Sequence, residues 1–140
     1  MKPEPSIALA MVVAALAAGP ALAAKTPPPP APLFSAALPD VPGKNLVVVH
    51  LTLPLKGAPP HPHRHPGSVY VYVTSGVARL GVDGQPVQIV KAGESFFEPQ
   101  GALHTVAESD SATEKATAIA VMIVPDGAAL VAAPDAPAGH

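Results

Sequence analysis

The sequence predicts an all-β domain, an antiparallel barrel or sandwich of short strands. Three observations predict it. From Asn45 to Pro125 the chain runs as short β-rich segments, divided at fairly even spacing by Gly, Pro and Asp-Gly turn signals. Val69, Val71 and Val73 alternate with Tyr70 and Tyr72, the two-residue period of a strand with two unlike faces. Past the N-terminal apolar run, no stretch carries a helical pattern.

The elements follow in chain order. Lys2 precedes an apolar run from Ile7 to Ala18, and Ala21 and Ala23 form an Ala-x-Ala pattern. These features predict a secretory signal peptide over residues 1–23, cut after Ala23. A membrane anchor is the rival reading, but the run is short against the roughly 17–25 residues of a spanning helix. Without cysteine anywhere in the 140 residues, a lipid-modified N-terminus is excluded. The expected product is secreted, resides in a bacterial periplasm and has no stable membrane insertion after cleavage. Residues 24–42 form a proline-rich leader; its "KTPPPPAP" is stiff and extended, with no reason to join a core. The folded domain is expected over 43–127, and 128–140, ending in "PDAPAGH", as a flexible tail.

Within the domain, "NLVVVHLTLPL" (45–55) is β-branched and reads as a strand. "SVYVYVTSG" and "VARLGVDG" follow, the second closed by an Asp83-Gly84 hairpin turn. "QPVQIV" returns, "SFFEP" stops at Pro99, and "ALHTV" follows Gly101. "KATAIAVMIVP" (115–125) is the last strand, because Thr117, Ile119, Val121, Ile123 and Val124 outweigh its alanines. Tyr70 and Tyr72 face away from the valines and read as packing residues. The long apolar 45–55 strand is an edge candidate, and an uncovered edge predicts a homodimer. A domain this small without disulfides needs a closed sheet, a partner or a metal for stability. Low, nearly balanced charge, no basic patch and no Trp argue against a nucleic-acid partner.

Three of the six histidines lie in "HPHRHP". His61, His63 and His65 share one parity, so in an extended segment they point the same way. Pro60, Pro62 and Pro66 keep that segment extended. Neutral imidazole is a good ligand for Zn, Fe, Ni, Cu or Mn, and His104 stands on a separate strand in apolar surroundings. The rival is a polar His-Pro surface loop, with His104 a satisfied polar residue.

The spacing resembles that of the cupins. Their first motif, Gly-x5-His-x-His-x3-Glu-x6-Gly, matches Gly57, His63, His65 and Gly76, with Val69 in the glutamate place. Their second, Gly-x5-Pro-x-Gly-x2-His-x3-Asn, matches Gly93, Pro99, Gly101 and His104, with Glu108 in the asparagine place. The resemblance implies an antiparallel jelly-roll β-barrel holding one divalent transition metal (Fe, Mn, Cu, Ni or Zn) on His63, His65 and His104. Val69 has no donor atom, so the family's usual fourth ligand is missing. His61 and His50 are reserves for that position. Glu98 and Glu108 rank below them as ligands; one of them is a candidate to accept a bound histidine's second ring proton.

By parity with the ligands, Val71, Val73, Val106 and either Phe96 or Phe97 would line a small apolar pocket for a small-molecule ligand or substrate. Some three-histidine cupins are iron-dependent dioxygenases of thiols or diketones, so the resemblance admits a metal-dependent oxygenase. The alternative is a non-catalytic cupin that binds a small ligand or metal for sensing, storage or resistance. A structural protein with a vestigial site is the third reading. No thiol and no Ser/His/Asp arrangement is present, and His61 and His50 are the only bases the sequence offers, so any reaction falls to the metal.

Overall fold

In a computed structural model, residues 31–137 are described. The expected signal segment, the first part of the leader and the last three residues lie outside that range. The described chain forms nine strands: β1 (Pro32–Ala37), β2 (Lys44–Thr52), β3 (His63–Arg64), β4 (Ser68–Ser75), β5 (Val77–Val82), β6 (Gln88–Lys91), β7 (Ser95–Glu98), β8 (Leu103–Ser109) and β9 (Thr117–Pro125). No helix among the described residues is long and apolar enough to cross a membrane.

The strands make two antiparallel sheets, one ordered β1-β2-β9-β4-β7 and the other β3-β8-β5-β6. This corrects the barrel expectation: the fold is all-β, but no sheet closes on itself. A barrel needs every strand hydrogen-bonded on both sides. Here β1, β7 and β6 each pair on one side only, β3 has beyond β8 a single bridge from Arg64 to Ala132, and the sheets meet through side chains rather than a ladder.

Their inner faces share one core. The larger sheet contributes Val47 and Val49 from β2, Val69, Val71 and Val73 from β4, and Ala118, Ala120, Met122 and Val124 from β9. Ala78, Leu80 and Val82 of β5 and Val90 of β6 come from the other sheet. Fully burying a valine or leucine contributes about 1.5–3 kcal/mol, so these alternating positions fix which face of each strand turns inward. On β9 the alanines turn in together with Met122 and Val124, while Ile123 is exposed. Ala120 cannot fill the space between the sheets, and a cavity opens beside it.

Three further expectations change. The 45–55 strand is not an edge, because β2 lies between β1 and β9. Its cover, β1, comes from the end of the proline-rich leader, where Ser35, Ala36 and Ala37 pair with Val47, Leu46 and Asn45. Tyr70 and Tyr72 are not core residues; they stand exposed on the outer face of β4.

Two glycines are fixed by space. At Gly67, just before β4, a Cβ would collide with the Ile123 carbonyl oxygen and stand 2.7 Å from its carbonyl carbon. Gly76 joins β4 to β5 and so carries the chain from one sheet to the other. It has φ +72°, and a Cβ there would lie 3.1 Å from Ala116 Cα.

Candidate metal centre

The centre begins with a register. β3 pairs with β8 so that His63 lies directly opposite His104. Opposed residues in an antiparallel pair project to the same face, and His65 follows two residues on. The ring centroids of His63 and His65 are 4.8 Å apart, those of His63 and His104 5.1 Å. One ligand atom from each of the three histidines lies within 4.8 Å of the others. His104 is buried, with the other two half-buried.

The turn between β7 and β8 is tied to this segment. Gly101 N–H donates to the His65 carbonyl at 3.0 Å, and the Arg64 guanidinium donates to the Gly101 carbonyl at 2.6 Å. The chain beyond β9, expected as a loose tail, also returns here. Ala132 N–H donates to Arg64 O at 2.8 Å, and Arg64 N–H donates back at 3.1 Å. Arg64 Nε reaches the Pro134 carbonyl at 2.9 Å.

Backbone carbonyls set two of the rings. His63 Nδ1 lies 2.8 Å from the His61 carbonyl oxygen, and His65 Nδ1 lies 2.6 Å from that of Leu130. A carbonyl only accepts, so both Nδ1 atoms carry the hydrogen and both Nε2 atoms of the neutral rings carry lone pairs. Those Nε2 atoms are 3.1 Å apart. Two neutral rings so arranged cannot hydrogen-bond to each other. Neither nitrogen of His104 has a hydrogen-bond partner, although both are buried. Burial lowers the His63 pKa below the usual histidine value, with charge on His65 and His104 adding to the fall; the His61 carbonyl and Glu98 oppose it. Three imidazoles with converging, unsatisfied nitrogens fit one divalent transition metal ion of unspecified identity.

The reserves named from sequence do not join them. His50 is exposed on the outer face of β2, paired with Ile119 of β9. His61 is exposed and serves the cluster through its carbonyl. Glu108 is engaged elsewhere: its carboxylate accepts from Gly57 N–H at 2.9 Å and stands 3.2 Å from Arg79 Nη1. Sequence reasoning undervalued Glu98. It is 2% exposed, with Oε2 3.1 Å from His104 Nδ1 and 3.7 Å from His65 Nε2. The available signal was parity, since Glu98 falls on the face of β7 that buries Phe96.

The cluster opens into a cavity of about 510 Å³, within the range of small-molecule sites and not small as expected. Its apolar walls include Val49, Leu51, Val71, Leu80, Met122 and Leu130. Val71 and Val106 line it as expected. Phe96 instead stacks on His104, centroids 6.3 Å apart, Val73 is wholly core, and Phe97 is exposed.

Two open, facing antiparallel sheets with a three-histidine cluster between them define a metal-binding β-sandwich. Residues 49–122, more than half of the chain, match the Cupin domain family, and the chain belongs to it. No curated protein matches it. Among solved structures it is similar to an uncharacterized conserved protein with a double-stranded β-helix domain from Klebsiella pneumoniae. That pair is 22% identical with a TM-score of 0.51, covering 78% of this chain and 87% of the other. DMSP lyase DddQ from Ruegeria pomeroyi is 19% identical, TM-score 0.47, with 68% of this chain and 46% of that one covered. Hydroxypropylphosphonic acid epoxidase from S. wedmorenis is 21% identical, TM-score 0.46, with 58% and 44% covered. This chain therefore spans less than half of either enzyme. The likenesses concern the fold.

Proposed function

We propose that this protein is an exported, periplasmic cupin that uses a three-histidine metal site to act as an oxygenase on a small, largely apolar molecule. The observation that carries the reading is the junction of the histidine cluster with an apolar cavity of about 510 Å³. An ion on His63, His65 and His104 would supply Lewis-acid polarisation or, as iron or copper, dioxygen chemistry. The chain's own part is to hold three neutral imidazoles in fixed tautomers, to keep a dry wall around the reacting atoms, and to leave coordination positions toward the cavity. A substrate suited to it has a small metal-binding head and an apolar body for Val49, Val71 and Met122.

The non-catalytic reading has its own support. Some polar groups around the cavity that could act as bases are committed, Glu108 to Gly57 and Arg79, and two histidine Nδ1 atoms to carbonyls. Dioxygen consumption separates the two. The full chain, loaded with iron(II), is given small thiols and β-diketones beside a His104→Ala control. Uptake that the control lacks supports an oxygenase. An iron-holding chain without uptake is a binding protein. Export is tested on the mature N-terminus, expected at Ala24, and the homodimer by sedimentation velocity.

A further inference from the structure

We infer that Glu98 is a direct fourth ligand of the metal, supplying from β7 the carboxylate that Val69 on β4 lacks. The inference rests on the metal-binding reading and deepens it.

Three observations carry it. The first is register: β4 and β7 pair Val69 with Glu98, so both side chains leave the same face of adjacent strands and that face is the inner one. The carboxylate emerges one strand over from the position that has no donor. The second is geometry. Donors about 2.1 Å from a common ion stand about 3.0 Å apart at right angles and about 3.4 Å apart at tetrahedral angles. The spacings here are 3.1 Å from Glu98 Oε2 to His104 Nδ1, 3.7 Å from the same oxygen to His65 Nε2, and 3.1 Å between the His63 and His65 Nε2 atoms.

The third is orphaned polarity. Glu98 Oε2 and His104 Nδ1 are both buried and, despite their 3.1 Å separation, neither has a hydrogen-bond partner. Their contact is close without the alignment of a donor aimed at an acceptor. Two atoms that face a third body look like this. A buried carboxylate with an unpartnered oxygen is costly, and an ion shared with three imidazoles removes the cost on both sides. It also halves the net charge of a divalent site.

The rival role is positioning: Glu98 would accept the ring hydrogen of His104 and orient it without touching the ion. Glutamine separates the roles, because its amide oxygen still accepts a hydrogen bond but is a poor metal ligand. The test is cobalt(II) binding by the full chain and by E98Q and E98A, with affinity from chelator competition and coordination from the visible d–d bands. A ligand role predicts that E98Q and E98A both bind more weakly and with shifted bands; weaker binding with unchanged bands is the effect of losing an outer-shell partner and overturns the ligand role. Without metal, E98Q should melt no lower than the wild type, since it removes a buried negative charge whose Oε2 has no hydrogen-bond partner. E98Q with wild-type affinity and bands overturns the ligand role and leaves a positioning one. A folded wild type that binds no cobalt(II), zinc(II) or iron(II) overturns the metal reading itself and this inference with it. If E98A does not fold, E98Q alone decides.

Discussion

Ending the chain at Ala128 removes the strap that crosses the metal centre, and the structure says what is lost. Four hydrogen bonds go: the Arg64–Ala132 backbone pair, Arg64 Nε to Pro134 O, and His65 Nδ1 to Leu130 O. At about 1 kcal/mol each they contribute about 4 kcal/mol, and half-burial of Leu130 adds about 1 kcal/mol. Ordering the backbone from Leu130 to Pro134 costs about 5 kcal/mol, at about 1 per residue. The metal-free domain should therefore unfold in urea within about 1–2 kcal/mol of the full chain. Metal binding should suffer far more. His65 loses the acceptor that fixes its tautomer, and loss of such a partner typically weakens affinity 10–100-fold. Zinc(II) affinity by chelator competition, measured beside urea unfolding of the apo-protein, checks both halves. Unchanged affinity would refute the claim that the Leu130 carbonyl sets His65. A loss above about 3 kcal/mol would show that the strap belongs to the core.

Two more outcomes are expected. The His63 pKa is lowered in the fold, chiefly by burial, against an unfolded value of 6.5. Between the two values the unfolded chain holds the extra proton, so the stability this ring confers is present above pH 6.5 and is lost as pH falls through the folded value. His65, His104 and Glu98 face it, and the His61 carbonyl bonds it. Urea midpoints of the apo-protein from pH 8 to pH 5 should decline on the acid side, and His63→Gln should flatten part of that decline; an identical profile in the variant would refute the assignment. Gly67→Ala should cost about 3 kcal/mol or more, or abolish soluble expression, because the new Cβ meets the Ile123 backbone and parts β4 from β9. A thermal midpoint within a few degrees of the wild type would show that the two strands can give way there.

Much of the fold was legible where one face of a strand is buried. Val69, Val71 and Val73 alternate with Tyr70 and Tyr72, and the structure buries the valines alone. The three histidines were legible as well, because parity puts His63 and His65 on one side and the motif spacing brings in His104. What failed was non-local. Whether two sheets close is decided by which edges meet, and no residue pattern in β1 or β6 encodes that. "PPPPAP" dominates the surroundings of β1 and marks it as leader, yet "FSAA" has the backbone donors that β2 needs. On β9 the residues that mark a strand, Thr117, Ile119, Val121 and Ile123, say nothing of which face turns in, and the structure packs Ala118 and Ala120 inward instead. The Leu130 carbonyl carries no sequence signal, since any residue presents one.

The hydrogen bonds that orient these rings also decide what the site can accept. A carbonyl oxygen cannot donate, so neither His63 nor His65 can move its hydrogen to Nε2 without giving up its bond to the His61 or Leu130 carbonyl. Their two Nε2 lone pairs at 3.1 Å then repel until something positive lies between them. A proton could serve, but it would create an imidazolium at a ring whose burial disfavours charge, and it would leave the nitrogens of His104 unsatisfied. A divalent transition metal satisfies all three rings at once and places a positive charge beside Glu98. The fold thus favours a metal over a proton through groups that do not titrate, and the preference is built in before any ion arrives.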